Sequence, residues 1–228
     1  MQRFFDILFS GAALILLSPL LIPLVIALRF TGEGEIFYAQ KRVGRFGTSF
    51  KLYKFATMLK NSPSIGTGTV TVRNDPRVLP LGRFLRKTKI NELPQLINIL
   101  IGDMSIIGPR PQTQRCFDAF PEELRPVIVQ VRPGLSGIGS LVFRNEQEMM
   151  DGPDADRLYD EVIMPYKALL EQWYVAHQGA GTYFKLILLT AWMVLFPESR
   201  AVLQSFRDLP KPDPETARLL AWPVAIAA

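Results

Sequence analysis

The chain has almost no cysteine and almost no histidine: Cys116 and His177 are the single examples in 228 residues. One thiol forms no internal disulfide and supplies no cysteine-rich metal site, which points to a reducing compartment. One imidazole argues against a histidine-based zinc centre within the chain and against a Ser-His-Asp triad. The Gly-rich stretch Arg132–Ser140 lacks the Walker spacing and its lysine, so a nucleoside triphosphate role has no support. No internal repeat is evident, and no linker divides the chain into two soluble domains. Charge is missing over the longest run of all, from Ile7 to Leu28.

That uncharged run exceeds the ~18 apolar residues that mark a membrane helix. Asp6 just before it fits a signal peptide's basic leader poorly, and no clear small-x-small cleavage site follows, so the segment reads as retained. Pro19 and Pro23 each remove a backbone donor and crowd the preceding turn, which predicts a kink or break near the middle. A bent helix enters one leaflet and returns to the same face, its freed carbonyls satisfied by Ser18 or neighbouring backbone. Arg3 and Arg29 then both meet the cytoplasmic headgroups. A plain spanning helix is the alternative that the residues leave open.

The formal charge of +5 and the isoelectric point near 9.4 call for an anionic partner: a membrane surface, a phosphorylated substrate or nucleic acid. Recognition motifs and the aromatic-basic interleaving of single-strand binders are missing, which disfavours nucleic acid. Residues 36–58 read as two strands around a turn near Phe46-Gly47-Thr48, with Lys41, Arg42, Arg45, Lys51 and Lys54 gathered about it. That hairpin is either solvated or in contact with headgroups or a nucleotide phosphate. Residues 61–70 form a Ser/Gly/Thr-rich loop. The stretch Arg132–Ser140 is a turn cluster or a loop that lets backbone approach a ligand. Glu146, Glu148, Asp151, Asp154 and Asp156 form an acidic, exposed segment with no calcium-loop spacing. Tyr183–Phe196 is apolar but short for a span; with Trp173 it suits an interface-lying helix as well as a core one.

The richest stretch runs from Arg83 to Pro111. Leu93, Leu96, Ile97 and Leu100 recur at helical spacing, so a helix is predicted over 91–100 with Asn91 as N-cap, Pro94 in its first turn and Gly102 at its end. A helix N-terminus offers free N–H groups and partial positive charge to a phosphate. Arg83, Arg86, Lys87 and Lys89 precede it and Arg110 follows in a Pro-flanked turn. Arginine forks suit phosphate, and Arg86 and Arg110 are the two selected for that role.

At Lys54-Phe55, Arg86, Asn91-Glu92-Leu93-Pro94-Gln95, Gly102-Asp103-Met104-Ser105 and Gly108-Pro109-Arg110-Pro111, the chain resembles the bacterial sugar transferases. These are the monotopic phosphoglycosyl transferases that begin lipid-linked glycan assembly. The similarity covers roughly residues 1–200. It implies transfer of a sugar 1-phosphate from a UDP-sugar to a polyprenyl (undecaprenyl) phosphate, releasing UMP, with Mg2+ and an Asp-Glu pair. In the family the aspartate attacks the sugar-linked phosphate, and the lipid phosphate resolves the covalent intermediate. Carried onto this chain, Glu92 is the pair's glutamate, and Glu92 with Asn91 takes the catalytic and metal-binding positions. Arg86, Arg110 and Lys54 take the substrate phosphate, and Ser18-Pro19 marks the kink of a re-entrant helix.

Two residues depart from the pattern. Asn91 stands where the family has its aspartate, and a neutral amide is a poor nucleophile and a weak magnesium ligand. Ala56 stands where an arginine commonly follows Lys-Phe. Glu92 as nucleophile or base, a carboxylate from Asp75 or Asp103, and a catalytically silent substrate-binding or scaffold protein all remain open.

The expected fold is therefore mixed α/β and helix-rich. A re-entrant membrane helix occupies 1–30, a cytoplasmic catalytic domain with a β-hairpin and interface-lying helices 31–205, and a tail 206–228. The expected setting is the cytoplasmic face of a bacterial inner membrane, with membrane lipids as partners and no nucleic acid. A homodimer is admitted, although no residue pattern argues for one.

Overall fold

A computed structural model describes residues 1–65, 75–149 and 154–222. Outside them lie Asp151 of the acidic segment, the second half of the 61–70 loop and the extreme C-terminus. The architecture is mixed α/β and rich in helix. An apolar helix, α1 (Gln2–Arg29), leads into a hairpin of β1 (Phe37–Val43) and β2 (Ser49–Phe55). Helices α2 (Pro80–Lys87) and α3 (Gln95–Ile101) follow, then β3 (Ser105–Ile107), α4 (Gln114–Asp118) and α5 (Arg125–Ile128). Strand β4 (Gly134–Ser136) precedes α6 (Ile138–Val142), α7 (Glu146–Met149) and α8 (Ala155–Arg157). A π-helical segment, Leu158–Ile163, runs into α9 (Met164–Ala176). Helices α10 (Ala180–Leu195), α11 (Ala201–Ser205) and α12 (Pro214–Leu219) complete the described chain.

Two compact units share these elements. One comprises Met1–Phe4, Arg42–Phe50 and Asp103–Ala228; the other comprises Phe5–Lys41 and Lys51–Gly102.

The smaller unit contains most of α1. This helix of 28 residues is long and apolar enough to cross a membrane, and it stays helical through Pro19 and Pro23 without a break. The Ser18 hydroxyl donates to the Ile15 carbonyl at 2.7 Å. Ile15 lies four residues before Pro19, so the hydroxyl replaces the donor that the proline ring removes. One stripe of α1, Leu21, Leu24, Val25 and Leu28, packs with Phe55, Leu85, Ile36, Leu81 and Ile90. Those four sit at helical spacing, while Ile15, Leu16, Ile22 and Ile26 on other faces stay exposed. Helix α2 lies close to the chain after β2, because a Cβ at Gly82 would meet the Thr57 carbonyl oxygen at 2.2 Å.

A buried amide ties β2 to α3. Asn98 is fully buried; its Nδ2 donates to the Lys51 carbonyl at 2.7 Å and its Oδ1 accepts from the Tyr53 N–H at 2.9 Å. Both bonds fall on alternate residues of one strand, as the period of two requires.

The larger unit is built on α9. Phe120, Leu124, Ile128, Met164 and Ala168 form one core cluster, with Cys116, Phe117 and Tyr159 against it. Strands β3 and β4 pair in parallel, Ser105 opposite Gly134 and Ile107 opposite Ser136. Residues 132–140 are thus a strand and a helix start rather than a turn cluster. Their glycines serve backbone contact within the protein: a Cβ at Gly134 would lie 2.1 Å from the Gly108 nitrogen. Trp173 belongs to the core and donates its indole N–H to Asp208 at 3.0 Å. Helix α10 divides its faces, burying Tyr183, Leu186, Leu189 and Met193 and exposing Leu188, Trp192, Val194 and Leu195. Asp213 caps α12 through the Glu215 and Thr216 N–H groups.

Asn98→Ala leaves the Lys51 carbonyl and the Tyr53 N–H without their side-chain partner. At ~1–3 kcal/mol for each buried polar group so stranded, a loss of about 2–4 kcal/mol is expected in chemical denaturation of the detergent-solubilised protein. A loss below about 0.5 kcal/mol contradicts the clamp.

Candidate active site

The segment before α3 does not fold as the sequence pattern predicts. Lys89 takes a left-handed conformation at φ 60°, and the chain then makes a single 3₁₀ turn over Ile90–Glu92. Helix α3 begins only at Gln95, after Pro94, and ends at Gly102 with φ 103°. Asn91 is therefore not an N-cap. The reversal at Lys89 turns it inward, where it is buried and its Oδ1 has no hydrogen-bond partner among the described residues.

Glu92, next in the turn, projects toward β2. The Lys54 ammonium donates to its Oε1 at 2.9 Å, with side-chain exposures of 20% and 23%. Lys54 follows the Lys51–Tyr53 stretch held by Asn98, so the clamp that ties β2 to α3 also sets the cation beside the carboxylate. Arg86, half-buried near the end of α2, feels the negative charges of Glu92 and Asp75, while burial pulls its guanidinium below the ordinary value. Lys54, Arg86, Asn91 and Glu92, four of the residues selected from sequence, thus share one unit. A half-buried carboxylate paired with Lys54 and lying in the field of Arg86, on a turn that also holds a buried, unpartnered amide oxygen, is a polar cluster suited to phosphate chemistry.

Asp75 is not a spare carboxylate. It makes a two-point pair with Arg77, Nε to Oδ1 at 2.9 Å and Nη2 to Oδ2 at 2.6 Å, and both side chains are buried. The same guanidinium also donates to the Ser62 and Ile65 carbonyls at 2.7 and 2.8 Å. Asp75 therefore anchors a loop.

Magnesium, which the resemblance implies, finds two oxygen donors on this turn, the Glu92 carboxylate and the buried Asn91 Oδ1. Among the described residues no group of three or more His, Cys, Asp and Glu side chains forms a metal cage. The donor set fits the ion all the same, since magnesium is commonly held by one or two protein oxygens together with substrate phosphates and water.

In the larger unit, Arg110 is exposed at the turn after β3, and its backbone N–H donates to Glu171 Oε1 at 3.2 Å. Glu171 lies on α9, one helical turn beyond Lys167, and both are buried. Lys167 pairs with Glu146 at 2.7 Å, so Glu146 is an internal ion-pair partner rather than part of a solvated acidic face. The hairpin cations Arg42 and Arg45 are likewise engaged, donating to the carbonyls of Pro111 and Gln130 at 3.2 and 2.9 Å. Sequence reasoning missed Lys167 and Glu171. The available signal was two opposite charges four residues apart in the otherwise apolar MPYKALLEQWYVA.

The family model for bacterial sugar transferases matches residues 1–197. The chain belongs to the bacterial sugar transferase family. The exopolysaccharide production protein ExoY of Rhizobium meliloti is 35% identical over 159 residues, 64% of this chain and 70% of that protein. An undecaprenyl-phosphate galactose phosphotransferase of Salmonella typhimurium is 32% identical over 209 residues, 86% of this chain and 40% of the longer relative. A UDP-glucose:undecaprenyl-phosphate glucose-1-phosphate transferase of Klebsiella pneumoniae is 32% identical over 164 residues, 70% of this chain and 35% of its own length. The matched residues include the sequence blocks around Glu92 and Arg110.

Burial pushes the Glu171 carboxyl from its ordinary 4.5 up to about 7, against the opposing pull of the Arg110 N–H and the Lys167 charge. A carboxyl whose pKa rises on folding favours the folded state at pH below the unfolded value and loses that contribution as pH rises through the folded one. Glu171→Gln removes the titration. Its stability relative to the parent should therefore increase between about pH 5 and pH 8, by up to about 3 kcal/mol, in thermal denaturation of the solubilised protein. A difference that stays constant with pH contradicts the assignment.

Proposed function

We propose that this chain transfers a sugar 1-phosphate from a UDP-sugar to a polyprenyl phosphate at a membrane surface, releasing UMP. The observation that carries the reading is the Lys54–Glu92 pair in the field of Arg86, on a turn within the residues that the family model matches. The Salmonella and Klebsiella relatives, both named for transfer to undecaprenyl phosphate, support the acceptor class.

In this reading Glu92 supplies the reacting carboxylate. An oxygen of Glu92 attacks the sugar-bearing phosphorus, a Glu92–phosphorus bond forms, and the bond to the UMP oxygen breaks. UMP leaves as the phosphate anion, so no proton is needed. An oxygen of the lipid phosphate then attacks the same phosphorus and frees the Glu92 carboxylate. Splitting the transfer lets two bulky anions occupy the site in turn. Lys54 and Arg86 offset charge on the transferring group; the exposed guanidinium of Arg110, in the larger unit, is by itself a fork suited to phosphate. Glu92 and Asn91 would be the residues to hold a magnesium ion, which when bound would supply further charge compensation.

The membrane reading rests on α1 and α10. Helix α1 keeps exposed apolar faces at Ile15, Leu16, Ile22 and Ile26, and α10 exposes Leu188, Trp192, Val194 and Leu195. A re-entrant α1, bent at Ser18-Pro19, places Arg3 and Arg29 at the same headgroup layer. The Ser18–Ile15 bond supports it by satisfying the freed carbonyl. The catalytic residues then face the cytoplasm of a bacterial inner membrane, where UDP-sugars are made, and α10 lies along the surface.

A second reading, binding without turnover, is favoured by the neutral and buried Asn91. One experiment separates the two. Purified protein with magnesium, polyprenyl phosphate and a panel of UDP-sugars should release UMP in a lipid-dependent manner, and Glu92→Gln should lower the rate by at least about a hundredfold. Release that arises only in Asn91→Asp establishes the silent reading.

A further inference from the structure

Buried carboxylates that raise their own pKa cost stability, and a fold that keeps one has it positioned for a reason beyond packing. Glu171 is such a group. It is 1% exposed, its Oε2 has no hydrogen-bond partner among the described residues, and its Oε1 accepts the Arg110 N–H at 3.2 Å. The wall beside it is close-packed: a Cβ at Gly139 would lie 2.5 Å from Oε1, so a side chain there would have to displace the carboxylate. The charges acting on it are Lys167, on its own helix, and Arg110. Helix α6 presents no charged residue, Glu146 is occupied by Lys167, and the neighbouring Tyr159 hydroxyl is held neutral by burial.

We propose that Glu171 is a positioning residue for the Pro-Arg-Pro turn, its buried carboxylate holding the Arg110 backbone from within so that the exposed guanidinium is presented to a diphosphate. The inference rests on the reading of Arg110 as a phosphate ligand. The side chain of Arg110 is exposed while its backbone is anchored to a buried oxygen, so the turn is fixed at its root and free at its tip. Pro109 and Pro111, both buried, stiffen the turn on either side and offer no N–H of their own. The Arg110 N–H is thus the donor through which α9 grips the turn.

Charge makes the grip adjustable. A carboxylate accepts an N–H more strongly than a neutral carboxyl does, so ionising Glu171 tightens the turn. The expected consequence is firmer binding of a UDP-sugar as pH rises across the range in which Glu171 loses its proton. The diphosphate of a UDP-sugar keeps its charge across that range, so the ligand contributes no titration of its own.

The test uses the full chain in detergent, with UDP-glucose, UDP-galactose and their N-acetyl forms as probes, at about pH 6 and pH 8. The parent should bind its best donor several-fold more tightly at the higher pH, and Glu171→Gln should bind with little pH dependence. Arg110→Ala should bind at least about tenfold more weakly at both. Unaltered binding by Arg110→Ala overturns the reading of Arg110 itself. Weakened binding by Arg110→Ala with the parent's full pH dependence retained in Glu171→Gln overturns the positioning role alone. Should none of the four donors bind, deuterium uptake over residues 108–112 decides: faster uptake in Glu171→Ala than in the parent supports the grip, and equal uptake overturns it.

Discussion

Two hydrogen bonds from one buried amide hold the smaller unit in the register its chemistry needs. Asn98 donates to Lys51 and accepts from Tyr53, fixing β2 against α3. Lys54 then comes within 2.9 Å of Glu92 on the turn that leads into that helix. A slip of one residue would send Lys54 to the opposite face of the strand, because side chains alternate. Arg86, on α2, lies within the field of the same carboxylate, and the missing side chain at Gly82 lets α2 close on the chain after β2. The ion pair is thus held by backbone contacts rather than by the weak mutual attraction of two half-exposed side chains.

Much of this is legible in the sequence. The uncharged run gave α1, the Gly-containing turn between two basic and apolar stretches gave the hairpin, and Glu92, Arg86 and Lys54, singled out from sequence, fall in one unit. What failed is instructive. Asn91 at the head of an apolar repeat reads as a helix cap, yet a left-handed Lys89 and a 3₁₀ turn move the helix start to Gln95. Lysine carries no local signal for positive φ, so tertiary context decided the matter. Asn98 sat within the apolar helix pattern and drew no notice, because nothing in a sequence says which strand a buried amide will meet. Lys167 and Glu171 were passed over for a related reason: the π-helical entry to α9 and its packing turn that face inward.

The larger unit shows how such buried charge is tolerated. Lys167 has Glu146, while among the described residues Glu171 has a backbone N–H and the field of neighbouring cations. An apolar residue of similar volume would cost the fold less. Keeping the carboxylate makes sense if the turn it grips has work to do, and the grip then ties the exposed Arg110 to the protonation of a group deep in α9. Stability and presentation of the guanidinium pull in opposite directions as pH rises.

The central claim is that Glu92, and not the position occupied by Asn91, provides the reacting carboxylate. Intact-mass measurement of the protein incubated with UDP-sugars and magnesium, with no lipid acceptor, tests it most directly. A covalent adduct equal to one sugar phosphate, mapped to Glu92 and missing in Glu92→Gln, is the predicted result. Lipid-dependent turnover with no such adduct, or an adduct that persists in Glu92→Gln, would contradict it.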